Sequence, residues 1–234
     1  VVAHDRLATD ITDAAAVQRA LAKLRPAVVV NAAAYTAVDQ AETDALRCFA
    51  VNRDGAGNVA EACARAGVPV IQVSTDYVFD GMGTRTYREH DLPAPINVYG
   101  ASKAAGEAMV RAGTRRHVIL RTAWVFAPWG KNFARTVLRL AAGKKPLRIV
   151  ADQVGCPTAT ADLAAAVTKY KVQTAPDLWG KAGDLEGRPV NSLLYELTRP
   201  VDRDVFRREN RYFDALRAQS PNADASAAAP AVEK

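Results

Sequence analysis

The sequence is poor in the residues that build metal sites and disulfide frameworks. It has three cysteines and three histidines among 234 residues. Cys48, Cys63 and Cys156 are widely spaced and form no CxxC pair, and the histidines show no ligand spacing. An odd number of separated cysteines indicates neither a disulfide framework nor a zinc site, and it is typical of a reducing compartment. We therefore predict a cytoplasmic protein and assign no residue to a metal.

Long apolar runs and clustered positive charge are also missing. No apolar stretch reaches the roughly 20 residues that a membrane-spanning helix needs. The net charge of +6 comes from lysines and arginines spread along the chain, without a basic run interleaved with aromatic residues. Neither a membrane nor a nucleic acid is therefore an expected partner. We interpret the modest excess of positive charge as mostly solvated surface charge, which also helps to attract phosphorylated small molecules.

Apolar runs and amphipathic stretches alternate along the first half of the chain. Strands are predicted at residues 1–3, 27–30, 68–73 and 117–121, with helices at 42–66 and 99–112 and another ending before Pro26. This alternation predicts an α/β fold with a parallel, doubly wound sheet. Ligands of such sheets bind at the carboxyl ends of the strands, so the polar turns at 31–36, 74–76 and 122–124 should converge. Beyond them we predict helices at 133–142 and 162–170 and a strand at 147–150.

Two of the polar segments carry a specific chemistry. The sequence Ser-Thr-Asp at 74–76 ends a buried strand, and Tyr-Gly-Ala-Ser-Lys at 99–103 opens a helix. Residues four apart share a helix face, so Tyr99 and Lys103 lie one above the other. An ammonium near a phenol favours the phenolate and lowers its pKa towards the working pH. The pair predicts a site that donates a proton to a carbonyl group, although Thr75 alone is equally well explained as a turn cap.

Five segments in a fixed order resemble a known family. They are Asn-Ala-Ala-Ala-Tyr-Thr from residue 31, Ser-Thr-Asp-Tyr-Val-Phe from 74, Tyr-Gly-Ala-Ser-Lys from 99, Arg-Thr-Ala-Trp-Val from 121 and Asp-Gln-Val-Gly-Cys-Pro-Thr from 152. Over residues 1–170 the chain is similar to the dTDP-4-dehydrorhamnose reductase family of the extended short-chain dehydrogenase/reductases. The resemblance implies a Rossmann-like fold and hydride transfer from NADPH or NADH to the C4 ketone of dTDP-4-dehydro-L-rhamnose. It also allows Mg²⁺ and a homodimer.

The resemblance assigns roles to individual residues around the ketone. Tyr99 becomes the general acid, and Lys103 holds the nicotinamide ribose and supplies positive charge. Thr75 hydrogen-bonds the carbonyl oxygen, with Asp76 beside it. Trp124 is implied as the aromatic wall on which the sugar packs.

The resemblance also implies a set of cofactor-binding residues. Asp5 falls where this fold places an acid for the adenosine ribose, whereas Arg6 could meet a 2′-phosphate, so the choice between NADH and NADPH stays open. By the same resemblance, Asp10 and Ile11 flank the adenine. The segment of Ala34, Tyr35 and Thr36 lies along the cofactor, and Tyr99 and Lys103 also bind it.

Two features depart from the family pattern. The first strand and the glycine-rich turn after it, whose backbone N–H groups hold the pyrophosphate, are missing from the sequence. The sequence after residue 170 does not continue the family pattern, and residues 220–234 are rich in alanine, serine and proline, as disordered segments are. We therefore expect a fragment, truncated at its N-terminus and divergent at its C-terminus, whose own activity is doubtful. Its predicted parts are an incomplete dinucleotide-binding domain at 1–125, a partial substrate-binding lobe at 126–170 and an unassigned segment at 171–234.

Two other functions fit the same pattern. The regulatory β subunit of methionine adenosyltransferase shares it and works by binding a partner, so a non-catalytic module is one alternative. Nucleotide-sugar epimerases and dehydratases of the same superfamily are the other. The set of Thr75, Tyr99 and Lys103 argues against a pure binding module, because such a module needs no proton donor.

Overall fold

A three-stranded parallel sheet forms the centre of the protein. The computed structural model describes residues 1–83, 85–143, 146–150 and 153–173, with the backbone alone described at 169–173. The strands are β1 (Val29–Asn31), β2 (Val70–Thr75) and β3 (His117–Thr122), in the order β1-β2-β3. Val70 is paired with Val29 on one side and with His117 on the other. The three predicted inner strands are thus confirmed, each within two residues of its predicted start.

Helices connect the strands and cover both faces of the sheet. They are α1 (Ala14–Leu24), α2 (Val38–Ala41), α3 (Ala45–Phe49), α4 (Ala56–Ala66), α5 (Val98–Gly113), α6 (Phe133–Ala141) and α7 (Thr160–Gln173), with a π-helical turn at Ala50–Gly55 joining α3 to α4. Asp13 caps α1 by accepting a hydrogen bond from the Ala16 amide. Gly67, in the left-handed conformation with φ of 66°, ends α4. The doubly wound α/β class is confirmed.

Successive residues of the strands point to opposite faces of the sheet and bury two separate layers. On one face Val70 packs with helices α1, α4 and α5, which contribute Val17, Cys63 and Val110. On the other face Ile71 and Leu120 pack against α7. Helix α7 belongs to the lobe predicted at 126–170, yet it covers the central sheet. The domain boundaries proposed from the sequence remain predictions.

Two predicted strands are wrong. Residues 1–3 and 147–150 are not in strands, and the side chains of Val1, Val2 and Val150 are all more than half exposed. Apolar character alone does not make a strand, because a strand needs a partner for its backbone hydrogen bonds, and neither segment pairs with any described residue. A second parallel pair forms elsewhere, between β4 (Val125–Phe126) and β5 (Thr158–Ala159).

Some predictions concern residues that the structure does not describe. Asp152, the unassigned segment beyond residue 173 and the disordered stretch predicted at 220–234 lie outside the described ranges. Within those ranges, no helix combines the length and the apolar character needed to cross a bilayer.

Candidate active site

A cavity of about 250 Å³ lies at the carboxyl ends of the central strands. The end of β2, the first turn of α5 and the segments that follow β1 and β3 form its walls. It contains every residue predicted to be catalytic or substrate-binding and two of the predicted cofactor segment: Thr75, Asp76, Tyr99, Lys103, Trp124, Ala34 and Thr36. The three polar turns that the sequence placed at strand ends therefore meet at one cavity.

Tyr99 lies in the first turn of α5, where Asn97 caps the helix by accepting a hydrogen bond of 2.7 Å from the Gly100 amide. The phenol is buried and packs edge-on against the ring of Tyr77 at 5.5 Å between centroids. Burial raises the pKa of Tyr99 above its ordinary value, and the nearby Thr75 hydroxyl opposes this shift only in part. The hydroxyl therefore stays protonated at neutral pH and can donate a proton.

Lys103 follows Tyr99 by one helical turn and is also buried. Its Nζ donates a hydrogen bond of 2.7 Å to the backbone oxygen of Val73 in β2. Burial lowers the pKa of Lys103 to about 8, although the carboxylate of Glu107 and the thiol of Cys48 oppose the shift. The sequence predicted that Lys103 lowers the pKa of Tyr99, but the pKa of Tyr99 is raised, and this direction is therefore wrong. Desolvation of the phenol dominates, and the ammonium binds the carbonyl of β2.

Thr75 and Asp76 form the turn that ends β2. The Thr75 hydroxyl donates to Asp76 Oδ1 at 3.1 Å and accepts from the Tyr77 amide at 3.2 Å. Burial raises the pKa of Asp76, with the bond from Thr75 opposing it. Thr75 thus does cap a turn, as the simpler interpretation of the sequence held, and it lines the same cavity as Tyr99.

Trp124 lies at the edge of the cavity with 45% of its surface exposed. Its backbone has φ of 44°, in the left-handed region that a bulky residue rarely adopts. Such strain costs on the order of 1–3 kcal/mol and is found mainly at functional sites. A Cβ atom at Gly155 would lie 3.1 Å from the indole, so the fifth sequence motif provides the space next to this ring.

Two glycines let α5 approach its neighbours without a gap. A Cβ atom at Gly100 would lie 2.1 Å from the backbone oxygen of Tyr77, and one at Gly106 would lie 2.1 Å from that of Asn52. No real Cβ makes such contacts. The helix that carries Tyr99 and Lys103 is therefore fixed by direct backbone contact on both sides.

The sequence did not predict Asn52, which connects the proposed cofactor segment to α5. Its amide group pairs with the backbone of Tyr35, accepting from N at 2.8 Å and donating to O at 3.0 Å. It also donates to Ser102 Oγ at 2.9 Å, and Ser102 donates to the backbone oxygen of Tyr99 at 2.7 Å. Asn52 lies in the π-helical turn, and its only sequence signal is a polar residue on a buried helix face.

The predicted adenine-side residues do not reach this cavity. Asp5 accepts a hydrogen bond from the Ala8 amide within its own turn, and Arg6 pairs with Asp10 at 3.1 Å. Hydrogen bonds from Thr12 hold the pKa of Asp10 below its ordinary value. Ile11 packs against the layer of α1 and α4, and the ring of Tyr35 packs beside Cys48 and Tyr99. These five positions remain predictions as cofactor contacts.

The described part of the chain offers no metal site. Within it, no three His, Cys, Asp or Glu side chains come together in a way that could hold an ion. The expectation of Mg²⁺ therefore finds no support among these residues, and we derive no step through a metal.

Comparison with known proteins points to one family. A sequence model of the RmlD substrate binding domain matches residues 1–180. The dTDP-4-dehydrorhamnose reductase of Sinorhizobium fredii is 52% identical over 61% of this chain and 48% of its own length. That of Streptomyces griseus is 48% identical over 88% of this chain and 70% of its own length.

A solved structure leads to the same family. The crystal structure of dTDP-4-dehydrorhamnose reductase from Bacillus anthracis in complex with NADP aligns with a TM-score of 0.70 at 41% identity. The alignment covers 72% of this chain and 60% of that one. This chain spans about half the length of the Sinorhizobium relative. On the matched residues, the chain belongs to the dTDP-4-dehydrorhamnose reductase family.

Proposed function

We propose that the site reduces the C4 ketone of dTDP-4-dehydro-L-rhamnose with a hydride from NADPH or NADH. The observation that carries the proposal is the convergence of Thr75, Tyr99 and Lys103 on one cavity at the ends of the strands. A phenol, a hydroxyl and an ammonium around a cavity match the charge that develops on a ketone oxygen during reduction.

The chain's own residues account for the proton. Tyr99, kept protonated by burial, gives its proton to the oxygen as the negative charge forms there. The Thr75 hydroxyl, which lines the same cavity as Tyr99, orients the same oxygen. Lys103 stays charged below pH about 8 and stabilises the phenolate that remains. Thr75, Tyr99 and Lys103 thus orient the ketone, protonate it and stabilise the charge that is left.

The cavity also fits the nicotinamide end of a dinucleotide, which supplies the hydride when bound. Ala34 and Thr36 present short side chains along one wall, and Lys103 lies in the same cavity. The pairing of Asn52 with the Tyr35 backbone holds this wall in place. The complex of the Bacillus anthracis relative contains NADP, which supports NADPH as the cofactor. Arg6 and Asp5 are our candidates for the distinction between the two dinucleotides.

Substrate contacts are proposed at the mouth of the cavity. Trp124 provides an exposed aromatic face for the sugar, and Thr75 and Asp76 provide polar atoms. A location in the cytoplasm and a homodimer stay predictions from the sequence. The non-catalytic alternative is disfavoured because a binding module has no use for a buried, protonated phenol beside an ammonium.

Removing the phenol hydroxyl tests the proposal. In a protein extended at its N-terminus by the family's first strand and glycine-rich turn, we expect NADPH absorbance to fall only when the 4-keto sugar nucleotide is also present. Tyr99→Phe should lower turnover by at least about 100-fold, because a positioned acid contributes that much, and should leave NADPH affinity nearly unchanged. Tyr87→Phe is the matched control, since Tyr87 bonds to Asp80 and does not line the cavity. Near-full turnover in Tyr99→Phe would show that another group is the acid.

A further inference from the structure

Four polar residues follow one another along a single stripe of α5. Tyr99, Lys103, Glu107 and Arg111 are spaced four residues apart, so they share one face of the helix. The first two line the cavity, and Glu107 lies behind them with 1% of its surface exposed. The proposed reaction does not use Glu107. A carboxylate without solvent contact is nevertheless costly unless other groups compensate for its lost hydration.

The carboxylate of Glu107 is fully bonded. Oε1 accepts from Ser74 Oγ at 2.7 Å and from Arg121 Nε at 2.8 Å. Oε2 accepts from Arg121 Nη2 at 2.6 Å and from Arg111 Nη2 at 3.0 Å. Burial alone would raise the pKa of Glu107, but the bonds from Arg121 and Ser74 hold it below its ordinary value. The group is therefore a charged carboxylate at neutral pH.

Two of the donors lie at the ends of the strands that form the cavity, and Ser74 itself lines it. Ser74 precedes Thr75 at the end of β2, and Arg121 precedes Thr122 at the end of β3. Ser74 and Arg121 are also partners in the register of the two strands. Glu107 thus ties α5 to the ends of both strands, at a residue that lines the cavity in β2 and at the residue before a lining residue in β3.

Lys103 makes the neighbouring connection. Its Nζ bonds to the oxygen of Val73, so α5 binds two consecutive residues of β2 through Lys103 and Glu107. On the far side, the guanidinium of Arg121 lies 4.8 Å from the ring centre of Phe79, which stacks on Tyr87 at 4.3 Å. The same carboxylate therefore holds Arg121 against the segment that follows the Thr75 turn.

We propose that Glu107 is a positioning residue that holds the Tyr99–Lys103 face of α5 against Thr75 and keeps the Lys103 ammonium charged. This role in catalysis rests on the proposed function. The alignment of the side chains and the charge of Lys103 can be measured without it.

The ionisable groups around Lys103 decide whether its pKa rises or falls when the charge of Glu107 is removed. Burial lowers the pKa of Lys103, and the groups that raise it are Glu107 on its own helix and Cys48 on α3. Arg111 and Arg121 face Glu107, and Asp76 and Tyr77 face Tyr99. Without the charge of Glu107, the largest contribution that opposes the effect of burial is lost. The pKa of Lys103 must then fall further below about 8.

The first test follows the titration of Lys103 by NMR of labelled lysine side chains in the full chain. In Glu107→Gln the midpoint should fall by about one pH unit, because that is the smallest usual effect of a nearby opposite charge. Glu61→Gln is the matched control, since Glu61 is exposed and pairs at 3.5 Å with Arg65 far along α4. Its Lys103 midpoint should equal that of the wild type. A folded Glu107→Gln with an unchanged midpoint would overturn the proposal.

A second variant removes one bond and keeps every charge. In Ser74→Ala the Tyr77 amide, which donates to Thr75, should exchange its hydrogen about tenfold faster, as the loss of one bond to a charged group predicts. The amide of Ile71, deeper in β2, should not change. If Ser74→Ala accelerates exchange equally at the Tyr77 and Ile71 amides, or leaves the rate at Tyr77 unchanged, the positioning role is refuted. This outcome is decisive even if Glu107→Gln does not fold. Absence of turnover in the wild type would count against the proposed function only, because neither measurement uses it.

Discussion

At the scale of single residues, burial sets the protonation state of the candidate site. It keeps Tyr99 a phenol by raising its pKa, and it brings the pKa of Lys103 down to about 8. Both residues therefore start in their protonated forms at neutral pH. Lys103 carries an energetic cost for this, because a buried ammonium loses its hydration.

The cost at Lys103 predicts a pH dependence of stability. Its pKa is lower in the folded chain than the ordinary 10.5, so the unfolded chain binds more protons between pH 8 and 10.5. The folded state is therefore penalised below pH 8 and recovers stability as the pH rises through this window. In Lys103→Met the penalty is absent. The free energy of unfolding of the wild type should thus gain about 3 kcal/mol relative to Lys103→Met between pH 7 and pH 10.5, as measured by urea unfolding.

The comparison of the two proteins isolates Lys103 from other groups. Burial also raises the pKa of Cys63 to about 12, which makes stability fall with pH above 9. This contribution is common to both proteins and cancels in the difference. Parallel curves for the two proteins would mean that Lys103 titrates at its ordinary pKa.

At the scale of elements, α5 is fixed by contacts that leave no room for a side chain. Gly106 touches the π-helical turn at Asn52, and Gly100 touches the turn after β2 at Tyr77. The helix brings Tyr99 and Lys103 to the cavity only at this spacing. The position of the site therefore depends on glycine at residues 100 and 106 as much as on the side chains that line the cavity.

Gly106→Ala should separate α5 from the π-helical turn. A methyl group 2.1 Å from a backbone oxygen cannot be accommodated without movement of the helix, so we expect a loss of about 1–3 kcal/mol in the free energy of unfolding, together with lower turnover. Gly57→Ala in α4 is the control. Its methyl would meet the flexible end of Met109 at 3.0 Å, and it should be neutral or slightly stabilising because alanine favours helix. Equal stabilities of the two variants would contradict the close contact of α5.

At the scale of the whole molecule, the hydrophobic clusters around Cys48 and Cys63 are connected through helices. Cys48 on α3 lies in a buried cluster with Tyr99, whereas Cys63 on α4 lies in the cluster around Val70. The π-helical turn makes α3 and α4 continuous, and α5 packs against both helices. Neither thiol is exposed. The two clusters should therefore open in one cooperative event.

Thiol labelling in increasing urea tests this cooperativity. We expect Cys48 and Cys63 to react at rates with the same dependence on urea, because both must wait for global unfolding. The partly exposed Cys156 should react first and provides the internal reference. Early labelling of Cys48, at a rate independent of urea, would indicate that the cluster beside Tyr99 opens locally.

The sequence predicted the location of the site better than its electrostatics. Thr75, Tyr99 and Lys103 could be brought together because strand ends converge in parallel sheets and residues four apart share a helix face. The hydrogen bonds of Glu107 with Arg121 could not be predicted from the sequence, because they join residues of different elements whose distance depends on packing. The direction of the Tyr99 pKa was wrong for the same reason. Burial is a property of the fold, and the pairing of Tyr99 with Lys103 does not reveal it.

The strained backbone at Trp124 has an optical consequence. It holds an indole at the rim of the cavity, on a residue with 45% of its surface exposed to water. Any molecule that covers the ring changes the polarity around it and therefore its fluorescence. The chain has two other tryptophans, Trp129 and Trp179, which can be replaced by phenylalanine to leave a single emitter. The residue proposed to receive the sugar is thereby also a built-in reporter of its arrival.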